Sequence, residues 1–198
     1  MPVVTGISEH NGWAEFVTVT VQNSLPVVLD RRRTQLRGQG VPSQPYHHEA
    51  LELPLEDAER LVAQVTQSVY EHTRAALSDL RAAFGPDVVT LRMSPFEALP
   101  ASLAEVLASY QLTCSADGMM YREALADCAA DLGMEVHRYP RKSDQIAAAA
   151  ESLGAPRETA EAFLKECGRR FGPPWTKEHR LAAASAITVL AQRTEVKL

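Results

Sequence analysis

The amino-acid sequence predicts an α/β fold with a mixed five-stranded sheet, strands one to three antiparallel, flanked by helices. Three observations carry that expectation. The first third is rich in β-branched residues in near alternation, with two short polar turns between the runs. The remainder carries apolar residues at helical spacing, interrupted by two short apolar runs of strand length. Turn residues such as Gly12, Asn23-Ser24, Gly85-Pro86, Gly133 and Gly172-Pro173-Pro174 punctuate these segments.

Val3 to Ile7 is apolar, and Ser8-Glu9-His10-Asn11-Gly12 follows it with turn chemistry. Trp13 to Val21 alternates Phe16, Val17, Val19 and Val21 with threonine, as a strand does when one face is more buried. After the turn Gln22-Asn23-Ser24, Pro26 to Asp30 begins a third strand that runs into Arg31-Arg32-Arg33. Such short turns imply an antiparallel meander. Residues 37 to 54 hold Gly38, Gly40, Pro42, Pro45 and Pro54 without periodicity, and are expected to form a long exposed connection.

From Leu55 to Phe84 the apolar residues repeat with the helical period, with Pro54 before them and Gly85-Pro86 after. At roughly 1.5 Å per residue this helix reaches about 45 Å, more than one sheet covers. Either it bends or one end packs on something else, such as the second copy in a homodimer. Val88 to Met93 reads as a short buried strand. Ser102-Leu103-Ala104-Glu105 has capping-box spacing. Asp117 is placed to cap a helix from Met119 to Leu132, with Gly133 closing it before a fifth strand, Met134 to Tyr139. Strand–helix–strand alternation implies parallel pairing of the later strands. Ser143 is expected to cap a helix through Leu153, Pro156 to begin one through about Arg170, and Thr176 to cap a last, alanine-rich helix.

The chain has 198 residues, with 20 Lys and Arg against 25 Asp and Glu, a net charge of −5. This length fits one domain, 1–198, with a core large enough to need no disulfide or metal staple. No apolar run approaches the roughly 20 residues of a membrane span. The first residues lack a basic and then long apolar leader, and Cys114, Cys128 and Cys167 form no CxxC pair. Both features fit a cytoplasmic protein with reduced thiols. The acidic balance argues against non-specific coating of nucleic acid, although Arg138 to Arg180 holds nine Lys and Arg against six Asp and Glu.

Four stretches resemble the ribonuclease H-like superfamily, and within it the RuvC-type Holliday-junction resolvases. They are Thr5-Gly6-Ile7-Ser8 followed by Gly12-Trp13-Ala14; Ala124-Leu125-Ala126 through Gly133-Met134-Glu135-Val136; Tyr139-Pro140-Arg141-Lys142; and Glu178 through Ala186. The resemblance implies phosphodiester hydrolysis by two divalent ions, Mg²⁺ or Mn²⁺, on about four carboxylates. Against that pattern, Ser8 stands at the first-strand aspartate position. The fourth-strand acidic position falls within Arg92-Met93-Ser94. Glu178 can fill one acidic position of the last helix, while Leu181 occupies the other. The expected cleft therefore comprises Ser8, Glu9, His10, Ser94, Asp117, Arg122 and Glu178. It reads as a binding or structural module without an orthodox two-metal nuclease site.

Two other readings stay open. Carboxylates from unusual positions (Glu9, Asp30, Asp117 and Glu178) could converge as a metal-dependent endonuclease site. A helix N-terminus at Asp117, with Arg122 as a clamp, could hold a small phosphorylated ligand. Arg31, Arg33 and Arg37 are candidates for nucleic-acid contact, or for charges that keep a strand edge soluble. His47-His48-Glu49 reads as a loop or interface feature, since adjacent side chains of an extended segment point apart and make poor joint ligands. Ser8 and His10 share a turn without an assigned acid, and read as turn residues before a nucleophile and its base. Trp175 reads as a core plug, and the cysteines as buried small apolar residues. The convergence of Ser8, Asp30, Arg92 to Ser94, Asp117 and Glu178 in space would decide among these readings.

Overall fold

A computed structural model of the chain describes residues 1–196. Five strands, β1 (Val3–His10), β2 (Trp13–Gln22), β3 (Leu25–Gln35), β4 (Val88–Arg92) and β5 (Glu135–Tyr139), form one sheet in the order β3-β2-β1-β4-β5. The first three pair antiparallel, while β4 and β5 run parallel to β1, as the two kinds of connection require. Asn23 and Ser24 both have positive φ (51° and 60°), the two-residue hairpin geometry that matches strand twist.

Alternation along β1 separates two cores. Val4, with Val17, Val19 and Val88, packs against α6 (Lys177–Arg193), outside which lie α4 (Gln145–Ser152) and α5 (Arg157–Phe171). On the other face Ile7, with Phe16, Val89 and Leu91, packs against α1 (Leu55–Phe84) and α3 (Tyr110–Asp131). The alanines of α6 let it sit very close to β1. A Cβ on Gly6 would lie 1.8 Å from the Ala182 carbonyl oxygen, so only glycine fits there.

Four local expectations are corrected. The segment after β3 is not an exposed loop, because Pro45 and Ala50 are buried and a 3₁₀ turn forms at Glu49–Glu52. The Tyr121 hydroxyl donates to the Ser43 carbonyl, and Ser68 Oγ accepts from the Gly38 N–H, fastening this strap to the helices. The N-terminal end of α1 packs on the strap and on α2 (Leu103–Leu107). Ser102 precedes α2 without making a side-chain cap bond.

The third correction concerns α3, which begins nine residues before Met119, capped by Ser109 Oγ on the Leu112 N–H. Thr113 stays helical because its hydroxyl donates back to the Tyr110 carbonyl. Asp117 is therefore an interior helical residue and not a cap. Finally, Asp144 rather than Ser143 caps α4, accepting from the Ile146 and Ala147 N–H groups. At α6, Thr176 stands at the cap as expected, and its N–H donates to His179 Nδ1 to close a capping box.

Among the described residues no helix is long and apolar enough to cross a membrane. Gly6→Ala is expected to cost about 1–3 kcal/mol or more, because backbone cannot yield as a flexible side chain does. Chemical denaturation measures this, and an unchanged midpoint would show that α6 is not seated by Gly6.

Candidate functional site

The carboxyl ends of the parallel strands β1, β4 and β5 meet the N-terminus of α6, the edge where open α/β sheets place their ligands. A cleft of about 360 Å³ opens there, lined by Ser8, Glu9, His10, Arg92, Arg141 and Lys177 with Glu178 and neighbouring side chains. Strand alternation turns Ser8 and His10 toward α6 and Glu9 toward α3. Ser8 Oγ donates to Glu178 Oε2 at 2.6 Å, and His10 Nε2 lies 3.4 Å from the same oxygen. Burial works against a charged Glu178, but the Ser8 hydroxyl and His10 outweigh it and hold the carboxyl below its usual range. His10 is fixed from behind by stacking on Trp13 at 4.0 Å, and Arg33 covers that indole at 3.9 Å.

Glu9 is the deepest charge of the site, only 6% exposed. Its Oε1 accepts from Arg122 Nε at 2.7 Å and from Arg92 Nη2 at 2.8 Å. Arg122 is itself 6% exposed. Burial works against the Arg92 guanidinium, but Glu9 more than compensates and keeps it cationic. Tyr139, at the end of β5, is pushed up to about 12 by burial and then by Glu9, so its phenol stays protonated.

Of the expected cleft residues, Ser8, Glu9, His10 and Glu178 converge, with Arg122 reaching Glu9 from behind. Ser94 does not line this cleft; it donates to Glu123 Oε1, which also pairs with Arg138, beside a neighbouring depression. Asp117 lies elsewhere, fully buried, its carboxylate accepting from the Tyr46 and His47 N–H groups at 3.1 Å each. It holds the strap to α3. No helix N-terminus exists there, so the phosphorylated-ligand site expected at Asp117 and Arg122 is absent from that position. Asp30 pairs with Arg32 at 2.5 Å on β3, apart from the cleft. The four carboxylates considered for an unusual metal site thus do not share one.

The basic run is engaged within the chain. Arg31 donates to the Phe171 and Pro173 carbonyls, Arg33 to Glu15, and Arg37 to the Gly38 and Val41 carbonyls. Glu15, 1% exposed, also lies 3.1 Å from His179 Nε2, and burial lowers the His179 pKa despite that neighbour. His47 and His48 meet edge to face, and His47 Nδ1 contacts Cys114 Sγ at 3.3 Å. Cys128 and Cys167 are buried, but Cys114 is exposed, correcting the expectation for that thiol. Trp175 packs on Gly168 and stacks near Phe171 and His179 as a helix–helix plug.

Sequence reasoning did not place Arg92, Arg141, Lys177 or Tyr139 in the cleft. The signal was present: each stands at the end of a parallel strand, just beyond one, or in the first turn of α6. For a metal, the cleft offers Glu178 and a Glu9 already shared by two guanidinium groups. Among the described residues no three His, Cys, Asp or Glu side chains cluster to hold an ion.

No family model matches the chain, and no curated protein matches it. Among solved structures it is similar to RuvC of Thermus thermophilus in complex with Holliday junction substrate. That match has 15% identity and a TM-score of 0.54, and covers 98% of this chain and 96% of the other. A second Thermus thermophilus RuvC structure matches at 14% identity and TM-score 0.53, covering 96% and 94%. The chain has the ribonuclease H-like fold seen in RuvC.

Glu9→Gln is expected to destabilise the protein by about 3–5 kcal/mol, since it leaves the buried Arg122 guanidinium without its counter-charge. A loss below about 1 kcal/mol in urea denaturation, the size typical of an exposed pair, would contradict this. Asp117 supplies a pH signature. Burial raises its pKa to about 7 from an ordinary 3.8, against the pull of the two N–H groups. Its folded form thus binds the proton more tightly than the unfolded chain does. The associated stability is full below about pH 3.8 and is lost as pH rises through about 7. Asp117→Asn is expected to flatten the stability profile in that window, and an unchanged slope would place the titrating group elsewhere.

Proposed function

We propose that this chain is a nucleic-acid-binding module on a RuvC-like scaffold that does not carry out two-metal hydrolysis. One observation carries the reading: the Arg92 guanidinium, at the end of β4, is locked onto Glu9 where the resemblance calls for a metal-binding acid. A two-ion site needs several free carboxylate oxygens to offset two dications. Here a fixed cation stands among them, Ser8 supplies a neutral hydroxyl, and Leu181 supplies none. Glu178, held ionised by Ser8 and His10, is the one carboxylate left without a guanidinium partner in the cleft.

The same substitutions favour anion binding. Arg92, Arg122, Arg141 and Lys177 face Glu9 and Glu178, so the cleft is basic within a chain of net charge −5. A concave site with an excess of one sign focuses the field and draws a phosphate backbone. A similar structure, RuvC of Thermus thermophilus, is in complex with Holliday junction substrate, which supports branched DNA as the ligand to try first.

Fluorescence anisotropy with a four-way junction and a linear duplex, paired with a gel for cleavage, tests this. Binding in EDTA that weakens with added salt, and an intact substrate in Mg²⁺ or Mn²⁺, is the expected pattern. Metal-dependent cleavage abolished by Glu178→Gln would overturn the absence of hydrolysis. Failure to bind either DNA at low salt would overturn nucleic acid as the ligand.

A further inference from the structure

The geometry points to a terminal phosphate monoester of a nucleic-acid strand as the group held in the cleft between β1, β4, β5 and α6, a specificity that rests on the nucleic-acid reading above. Three features support a strand end over an internal phosphodiester.

The first is size. At about 360 Å³ the cleft lies near the lower end of small-ligand pockets, about 300–1,000 Å³, and suits one nucleotide end. The second is charge. Counting Arg122 behind Glu9, four cations face two carboxylates, leaving two positive charges in excess. A phosphate monoester carries about −1.5 to −2 near neutral pH and matches that surplus, whereas an internal diester carries one charge. Arg141 and Lys177 are exposed at the rim and take part in none of the ion pairs among the described residues, so both remain available to an incoming anion.

The third feature is unmet hydrogen bonding. Arg92 Nε, on a cleft-lining side chain, is shielded from solvent without a hydrogen-bond partner. Shielded polar atoms without partners are uncommon in native proteins and point to a missing ligand atom. The extra oxygens of a monoester supply acceptors that a diester, with two of its oxygens esterified, lacks. Ser8 Oγ is already donated to Glu178, His10 Nε2 faces the same carboxylate, and Gln145 Nε2 donates to Ser143 Oγ, so arginine and lysine nitrogens do the recognising.

The test compares one fluorescent single strand in three forms: 5′-phosphorylated, 3′-phosphorylated and with both ends hydroxylated. Titrations use the wild type and Arg141→Gln/Lys177→Gln, exposed positions whose replacement leaves the core intact. One phosphorylated end is expected to bind at least about tenfold tighter than the hydroxylated strand, a step of one charge-assisted contact, and the double variant is expected to lose that preference. Equal affinity for all three strands overturns the strand-end specificity while leaving backbone binding in place. No binding of any strand overturns the nucleic-acid reading itself. A preference that survives in the double variant removes it from this cleft. A mononucleotide that competes as well as the phosphorylated strand replaces the strand end with a small phosphorylated molecule.

Discussion

A single buried carboxylate organises this protein's candidate site. Glu9 ends the central strand almost out of reach of water, and a charge there persists only with strong partners. Arg122 from α3 and Arg92 from β4 supply them, tying three distant parts of the chain to one oxygen. The consequence reaches past stability. An acid paired with two guanidinium groups has less charge to offer a metal, and the guanidinium charge that remains unmatched faces the cleft.

The placement of that cluster follows from the two-residue period of β1 and from Gly6. Because α6 lies directly on the Gly6 backbone, its first turn arrives level with Ser8 and His10 and presents Glu178 to both. Ile7, between Gly6 and Ser8, faces the opposite core with Phe16 and Leu91. Thus one strand serves a dry core, an ion cluster and a polar cleft, sorted by which face each residue takes. Thr90 and Ser185, buried and 2.6 Å apart across β4 and α6, hold the same seam without adding charge.

Much of this was legible in sequence where local pattern and tertiary role agree. The hairpins showed because turn chemistry punctuates alternating strands, and α1 showed because a single buried stripe, Val65, Val69, Leu77 and Leu80, repeats along a polar helix. The start of α3 did not show. Its exposed side carries Tyr110, Gln111 and Cys114 instead of charges, and its buried polar residues are satisfied individually: Thr113 by its own turn and Asp117 by the strap seventy residues earlier in the chain. The triple arginine resembled a binding patch, yet Arg31, Arg32 and Arg33 each have a separate partner on carbonyls, Asp30 and Glu15. Of the site, Ser8, Glu9, His10 and Glu178 were reached through the family resemblance, because a contact spanning 170 residues leaves no local signature. Arg92 stood out in the sequence only as a missing acid; its bond to Glu9 needed the fold.

The central claim is that this cleft is built for an anion and not for paired dications. Titrating Mn²⁺ into the metal-free protein, with free ion followed by electron paramagnetic resonance, addresses it most directly. No saturable site up to millimolar Mn²⁺ is the result expected of a cleft holding Arg92, Ser8 and a neutralised Glu9. One or two ions bound per chain at micromolar Mn²⁺, and lost on Glu178→Gln, would contradict it.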